Sequence, residues 1–257
     1  MPTVVKERAD APAGFFEAEA AGLRWLSEAT AAGGARVVQV AGVSPGRIEL
    51  ERVDETAPSA GAALSFGAAL ARTHSAGADA FGSAPPGWDG PLFIGRRPLP
   101  AARERSWGRF YARDRILPYL QIAVDAGGVA RDQLPVIREA VDRIASGAFD
   151  DDAPPARIHG DLWSGNLLWD AGGAVLIDPA AHGGHRETDL AMLALFGAPH
   201  LDRIISGYES EVALRPGWRE RIPLHQLHPL VVHAVSYGPS YGHALAEAAR
   251  ATLALPD

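Results

Sequence analysis

Apolar positions along this 257-residue chain change their period several times, and each change marks a different kind of element. Thr3 to Lys6 reads as a strand, and Asp10-Ala11-Pro12 supplies a helix-start signal ahead of Phe15. A helix is expected from there to about Ala32. Two further apolar runs, Arg36 to Ala41 and Arg47 to Val53, flank Ser44-Pro45-Gly46 and predict an antiparallel hairpin. From Ser59 onward the pattern becomes helical and rich in Ala and Leu, broken between Phe81 and Pro100 by a Pro- and Gly-rich stretch that reads as a long surface loop. Trp107 to Ala126, Gln133 to Ala145 and the region from Glu187 to the C-terminus carry apolar residues three and four apart, the spacing of helices with one buried face. The expected fold class is α+β, with a small β-rich unit over residues 1–54 and a larger, mainly helical unit over residues 55–257.

One segment interrupts the helical part. After the polar linker Asp150-Asp151-Asp152-Ala153-Pro154-Pro155, the chain from Ala156 to Pro179 is strand-like and turn-rich. Within it, His159-Gly160-Asp161 is followed by Asn166, and the apolar runs Leu167 to Trp169 and Ala174 to Ile177 flank Ala171-Gly172-Gly173. That triplet suits a three-residue hairpin turn, because glycine accepts positive φ. A turn centred on Gly172 sets Asn166 opposite Asp178 at the open end of the hairpin, beside the loop that presents Asp161.

An amide oxygen and a carboxylate so placed suit magnesium, which takes a few oxygen ligands together with phosphate oxygens and water. Phosphoryl transfer asks for metal neutralisation of the phosphates and a carboxylate that orients or accepts the proton of the attacking hydroxyl. The Asp161-x4-Asn166 spacing matches the catalytic loop of protein kinases, with Asp178 in the place of their second metal-binding aspartate. Asp and Asn in loops are commonly turn or cap residues, and either one alone carries little. The combination of spacing, hairpin and terminal carboxylate carries the reading.

The N-terminal unit offers an independent check, since such a site also needs a strand lysine and a helix glutamate. Lys6 is on the strand. Projected at about 100° per residue, Phe15, Phe16, Glu19, Ala20, Leu23 and Leu26 share one arc of the helix, while Glu17, Arg24 and Glu28 fall opposite. Glu19 is the acid facing inward, and an acid on an apolar face calls for a partner, here Lys6.

Composition removes other classes. With 47% hydrophobic and 21% charged residues the chain reads as a folded globular protein, and its net charge of −7 opposes binding to nucleic acid or an anionic membrane. The absence of cysteine excludes disulfides, thiolate nucleophiles and Cys-ligated zinc. The first residues lack the apolar run of a secretory signal, and no uninterrupted apolar stretch of about 18 residues is present, so a cytoplasmic address is expected. His225, His228 and His233 offer no pair at i, i+4 for a zinc site. Ser164 lies too near His159 and Asp161 along the chain for a hydrolase triad, and Gly-x-Ser-x-Gly is absent. Arg186, Glu187 and Asp189 read as residues that cap and orient a helix start. Trp107 and Tyr111, one turn apart on a helix, suit core packing or substrate stacking.

With these residues in hand, the sequence resembles the fructosamine kinase (ketosamine 3-kinase) family, a branch of the aminoglycoside phosphotransferase-like, protein-kinase-like superfamily. The likeness covers nearly the whole chain. It rests on Val5-Lys6, on Phe16-Glu17-Ala18-Glu19 with Leu23, on Trp107, Phe110 and Arg115 before Leu117-Pro118, and on His159 to Asn166. It continues through Ile177-Asp178-Pro179-Ala180, Gly184-His185-Arg186-Glu187 and Asp189 to Met192. Trp163 and the Gly-His-Arg-Glu segment set this family apart from the wider superfamily.

The resemblance implies a two-lobed kinase-like fold and ATP- and Mg2+-dependent phosphorylation of the sugar 3-hydroxyl of a ketosamine by a monomer. Asp161 would be the catalytic base, and Asn166 and Asp178 the metal ligands. Lys6 and Glu19 would serve the nucleotide, with ATP near Glu51 to Val53. Trp163, His185, Arg186 and Trp107 are candidates to touch the acceptor. The family's proteins begin with two further strands carrying a glycine-containing phosphate loop, whereas this chain starts at the lysine strand, which leaves a nucleotide- or ligand-binding module without turnover as an alternative. A kinase for another amino-sugar, an aminoglycoside or a choline-like alcohol is the other. His182-Gly183 stands where relatives carry an aromatic residue, which implies a differently shaped acceptor pocket.

Overall fold

The computed structural model describes residues 2–256. Strand β1 (Thr3–Glu7) pairs antiparallel with β4 (Arg47–Glu51), and β4 with β3 (Val40–Ser44), giving a sheet in the order β1-β4-β3. The β3–β4 turn falls at Ser44-Pro45-Gly46 as expected, with Gly46 at φ 73°. Helix α1 (Phe15–Ser27) buries Phe16, Ala20, Leu23 and Leu26 in one cluster with Ile48 and Leu50 of β4. It ends earlier than the periodicity suggested, because Glu28–Ala32 tighten into a 3₁₀ turn that stops at Gly33.

Arg36 and Val37 do not belong to the β3–β4 hairpin. They form β2 (Arg36–Val37), which runs parallel to β9 (Gly173–Leu176), itself antiparallel to β8 (Leu167–Asp170). Arg36 holds Asp170 through two hydrogen bonds of 2.7 and 2.9 Å, and Val38 N–H donates to Leu176 O at 3.0 Å. A forked guanidinium–carboxylate pair of this kind selects a partner that alternation alone leaves open.

Helix α2 (Ala60–Ser75) starts where Ser59 Oγ accepts from Ala62 N–H at 3.1 Å. It lies so close to α7 (Leu201–Glu211) that a Cβ on Gly67 would overlap the backbone of Ile204, and one on Gly207 the backbone of Leu64. The expected surface loop from Phe81 to Pro100 proves partly structural. It contains a hairpin of β5 (Leu92–Ile94) and β6 (Arg97–Leu99) and buries Phe81, Leu92, Ile94 and Leu99. Apolar triplets between prolines and glycines are too short to display a period, which is why the pattern concealed them.

The segment from Trp107 divides into α3 (Trp107–Phe110), a π-helical stretch (Tyr111–Ile116) and α4 (Leu117–Asp125). Pro118 has no N–H to continue the ladder, and the widened turn directly precedes it. With α5 (Leu134–Ala145), α8 (Ile222–Tyr237) and α9 (Pro239–Leu253) these helices share a core that includes Tyr111, Ile116, Ile137, Leu224 and Leu245. A second core joins α1, α2 and the first sheet to Leu162, Leu167, Leu176, Ile204 and Tyr208, so elements on both sides of residue 54 share one cluster. No helix among the described residues is long and apolar enough to cross a membrane. Strands β7 (Ala156–Ile158) and β10 (His182–Gly184) pair antiparallel, and α6 (Arg186–Phe196) follows.

Candidate active site

The chain leaves β7 as His159-Gly160-Asp161 and re-enters β10 through Asp178-Pro179-Ala180-Ala181, so the pairing of Ile158 with His182 sets these two loops side by side. Gly160 has φ 81°, and a Cβ there would overlap the carbonyl of Ala180. Glycine is what lets the loops approach. Between them the β8–β9 hairpin pairs Asp170 with Gly173 and turns over two residues, Ala171 and Gly172, where three were expected. Asp170 Oδ1 accepts from Gly172 N–H at 2.7 Å and closes the turn early. The register shifts accordingly. Ile177 stands opposite Asn166, its N–H donating to Asn166 O at 3.1 Å, and Asp178 follows one residue beyond. Asp178 turns back toward Asn166 through a left-handed backbone, φ 52°.

Lys6, Glu19, Asp161, Asn166 and Asp178 all line one cleft of about 550 Å³, together with Trp163, Phe15, Phe93 and Arg96. Lys6 Nζ donates to Glu19 Oε1 at 2.9 Å and also to Asp178 Oδ1. Glu19 is 11% exposed, as expected of an acid on the inner face of α1. Asn166 Nδ2 donates to Asp161 O at 2.8 Å, to Asp161 Oδ2 at 3.2 Å and to Asp178 O at 3.4 Å. Burial pushes the Asp161 carboxyl up to about 7, with the Asn166 amide opposing and the nearby Asp189 charge adding to the rise.

The loop that carries Asp161 is held from behind. Asp189 on α6, 1% exposed, accepts from His159 N–H at 2.7 Å and from Gly160 N–H at 2.9 Å, and its Oδ2 lies 3.0 Å from His74 Nε2. His74 in turn meets Tyr208 OH at 2.8 Å. His159 donates through Nε2 to Ile177 O at 2.8 Å and accepts Asp161 N–H on Nδ1 at 3.2 Å, which fixes its neutral tautomer. Sequence reasoning placed Asp189 at a helix start but missed the clamp. The available signal was His74, a polar residue on the buried face of α2.

The other candidates lie elsewhere. Glu51 and Val53 do not line the cleft, and Glu51 Oε2 accepts instead from Gln39 N–H at 3.3 Å. Trp107 is a core residue, stacked on Tyr111 at 4.8 Å between centroids, so the packing alternative describes it. His185 is buried against Trp107 and His225, and Arg186 faces a separate surface depression with Asp151 and Arg215. The cause is α6, which carries both residues at its start and turns them from the cleft. His182 is buried too, its Nε2 accepting from Arg115 Nε at 3.3 Å, and it does not line the cleft.

His185, Glu187 and His225 bring one ligand atom each within 4.8 Å of one another, a grouping with metal-like geometry. Its chemistry is that of a brace. Glu187 N–H donates to His185 Nδ1 at 3.2 Å, which leaves the proton on Nε2, and both Glu187 oxygens accept from Arg221, at 2.6 and 3.0 Å. The His185 ring and the Glu187 carboxylate are thus already engaged, one with the Glu187 backbone and the other with Arg221.

A family model described as “Fructosamine kinase” matches residues 2–254. The chain belongs to the fructosamine kinase family. It is 30% identical over 230 residues to a “Probable ketoamine kinase” of Enterococcus faecium, covering 89% of this chain and 79% of that one. The solved structure of a “putative fructosamine-3-kinase” from Thermobifida fusca superposes with a TM-score of 0.90 at 47% identity, covering 99% of this fructosamine kinase family member and 86% of the other chain. A choline/ethanolamine kinase family protein from Mesorhizobium loti shares the fold at 15% identity, with a TM-score of 0.57 over 99% of this chain and 83% of its own. The architecture is protein-kinase-like, and the protein is a small-molecule kinase.

The cleft of this family member has a donor set that fits magnesium. Asn166 commits its Nδ2 to Asp161, which leaves Oδ1 without a donor among the described residues, and Asp178 Oδ2 is likewise unpartnered. An amide oxygen and a carboxylate oxygen on one wall are hard ligands of the kind the ion takes, with phosphate and water oxygens for the remainder.

Proposed function

We propose that this protein transfers the γ-phosphoryl group of ATP, bound with Mg2+, to the sugar 3-hydroxyl of a ketosamine. The division into a nucleotide-binding lobe over residues 1–54 and a helical lobe over 55–257 is part of that proposal. The observation that carries it is the convergence of Lys6, Glu19, Asp161, Asn166 and Asp178 on one cleft, in a chain of this family.

Each side chain has a task its neighbours prepare. An ammonium has three donors, and Lys6 uses them on Glu19 and Asp178 with one left for a phosphate oxygen. Glu19 keeps the lysine extended into the cleft. Asn166 and Asp178 would hold the ion, which supplies charge neutralisation on the phosphates when bound. Asn166 Nδ2 orients the Asp161 carboxylate through Oδ2, so Oδ1 is left for the acceptor hydroxyl. In the transfer that hydroxyl oxygen bonds to the γ-phosphorus, the bond to the bridging oxygen of ADP breaks, and the hydroxyl proton passes to Asp161.

The test is ADP release from ATP and Mg2+ on addition of an N-fructosyl amine, with the phosphorylated carbon located by phosphorus and proton NMR. Asp161→Ala is expected to abolish transfer while leaving nucleotide binding in place. Equal turnover by that variant, or phosphate on an aminoglycoside or choline but not on the fructosyl amine, overturns the assignment.

A further inference from the structure

Alternation along β5 sends its side chains two ways. Leu92 and Ile94 turn with Leu99 into the core of the helical part, while Phe93 between them is only half-buried and faces α1. Its ring lies 5.3 Å from that of Phe15, centroid to centroid, and Phe15 packs on the other core, the one shared by α1 and the first sheet. This ring pair therefore bridges the two cores at the cleft, whose wall includes both residues. The hairpin that carries Phe93 is fixed at its base. Tyr119 OH donates to Pro98 O at 2.6 Å, Arg115 Nη1 to Pro100 O at 2.7 Å and Arg97 Nη2 to Ser236 Oγ at 3.2 Å, so it stands as a post and not as a mobile flap.

The start of α1 depends on that post. Its N-cap is Gly14, at φ 80°, and no side chain there accepts from the unpaired N–H groups of the first turn. Pro91 closes over it instead, 3.3 Å from where a Cβ on Gly14 would stand. The Arg8 guanidinium covers the Phe15 ring at 5.1 Å, and Arg96 at the hairpin tip reaches Asp10 at 3.3 Å. Both members of that ion pair are about two-thirds exposed, so it adds little, and the ring contact is the one that holds.

Phe15 and Glu19 are four residues apart and share one stripe of the helix. Whatever fixes the first fixes the direction of the second. Glu19 Oε1 lies 2.9 Å from Lys6 Nζ, and a roll of α1 that carried it about 1 Å away would put the pair outside hydrogen-bonding range. Lys6 would then be left to Asp178 alone, the carboxylate proposed for the metal ion. Resting on the proposed kinase reading, we infer that Phe93 is a positioning residue for nucleotide binding. Pressed against Phe15, it sets the rotation of α1 that keeps Glu19 on Lys6 and Lys6 turned to the phosphates.

The test is a double-mutant cycle read by calorimetric titration with the Mg2+ complex of β,γ-imido-ATP, which binds without turnover. Phe93→Ala and Glu19→Ala are each expected to weaken the probe by about tenfold, the worth of one hydrogen bond to a charged group. The double variant is expected to lose the same factor of about ten and not about a hundred, because one change removes what the other acts through. Phe93→Leu, which keeps an apolar side chain against Phe15, is expected to lose only about threefold, and thermal midpoints show which variants are folded. Should Phe93→Ala bind as the parent does, or the two losses multiply in the double variant, the inference falls and the kinase reading stands. If Phe93→Ala does not fold, the same cycle run with Phe93→Leu decides, since its smaller loss has to vanish beside Glu19→Ala. A parent that does not bind the probe removes the kinase reading, and the inference with it.

Discussion

Asp189→Asn isolates what the clamp behind the catalytic loop contributes. The carboxylate is 1% exposed and takes three hydrogen bonds, from His159 N–H, Gly160 N–H and the His74 ring, at 2.7, 2.9 and 3.0 Å. A carboxamide in its place has one oxygen, so its NH2 faces at least one of those donors and one or two bonds are lost. Hydrogen bonds to a charged group are worth about 1.5–3 kcal/mol each, so the loss of one or two gives roughly 1.5–6 kcal/mol. For a chain of this length each kcal/mol moves the thermal midpoint by about 2–4 °C, so a fall on the order of 10 °C is expected in a calorimetric or fluorescence melt. The two backbone donors flank Asp161, and a displaced base of that kind costs about 100-fold in kcat, with less effect on the KM for ATP. Asp161→Asn is the contrasting control. Its carboxyl is disfavoured by burial, so the variant loses activity while its midpoint stays level or rises. Should Asp189→Asn melt with the parent protein and keep its kcat, the clamp has no role and the account of the loop is wrong.

Gly67→Ala is expected to destabilise in spite of its better helix propensity, because the new methyl meets the Ile204 backbone across the α2–α7 contact. Overpacking of about 1–3 kcal/mol there exceeds the gain of about 1 kcal/mol from alanine. Gly61→Ala, on the same helix with nothing within 4 Å, is expected to be neutral or stabilising in the same urea titration, and equal effects of the two would remove the close-approach argument. Stability is also expected to fall with pH from about 6.5 downward. Burial lowers His225, beside Glu187, His185 and Arg221, to about 4, and His228, beside Arg115, to about 3. The unfolded chain therefore takes up protons near pH 6.5 that the folded one refuses, at about 1.4 kcal/mol per pH unit per histidine until the folded values are reached. The Glu187 carboxyl, which burial alone would raise, is held at about 2 by His225 and Arg221 together, and adds a further loss only below its ordinary value of 4.5. A flat midpoint between pH 7 and 5 contradicts this.

Much of the chemistry was legible in the residues because it is local. The Asp161-to-Asn166 spacing, the hairpin that follows and the inward face of α1 depend on short-range turn and helix geometry, and the Lys6–Glu19 pair followed from a charge that could not be buried alone. Sequence alone erred where the outcome depended on which of several equivalent partners a segment would find. Arg36 and Val37 left the first sheet for β9, the Asp170 side chain moved the hairpin register by one residue, and the apolar triplets around Leu92 and Leu99 became core. His185, Arg186 and Trp107 shared a motif-rich sequence with the site, yet α6 and the helical core carried them off its wall. The amino-acid order determined which groups were available for phosphoryl transfer and how each was spaced from its neighbours along the chain. Only the tertiary structure decided which of them face a common space, and which rings and clamps surround it, because long-range pairing is settled by the burial and hydrogen bonding of the whole molecule and not by any one segment.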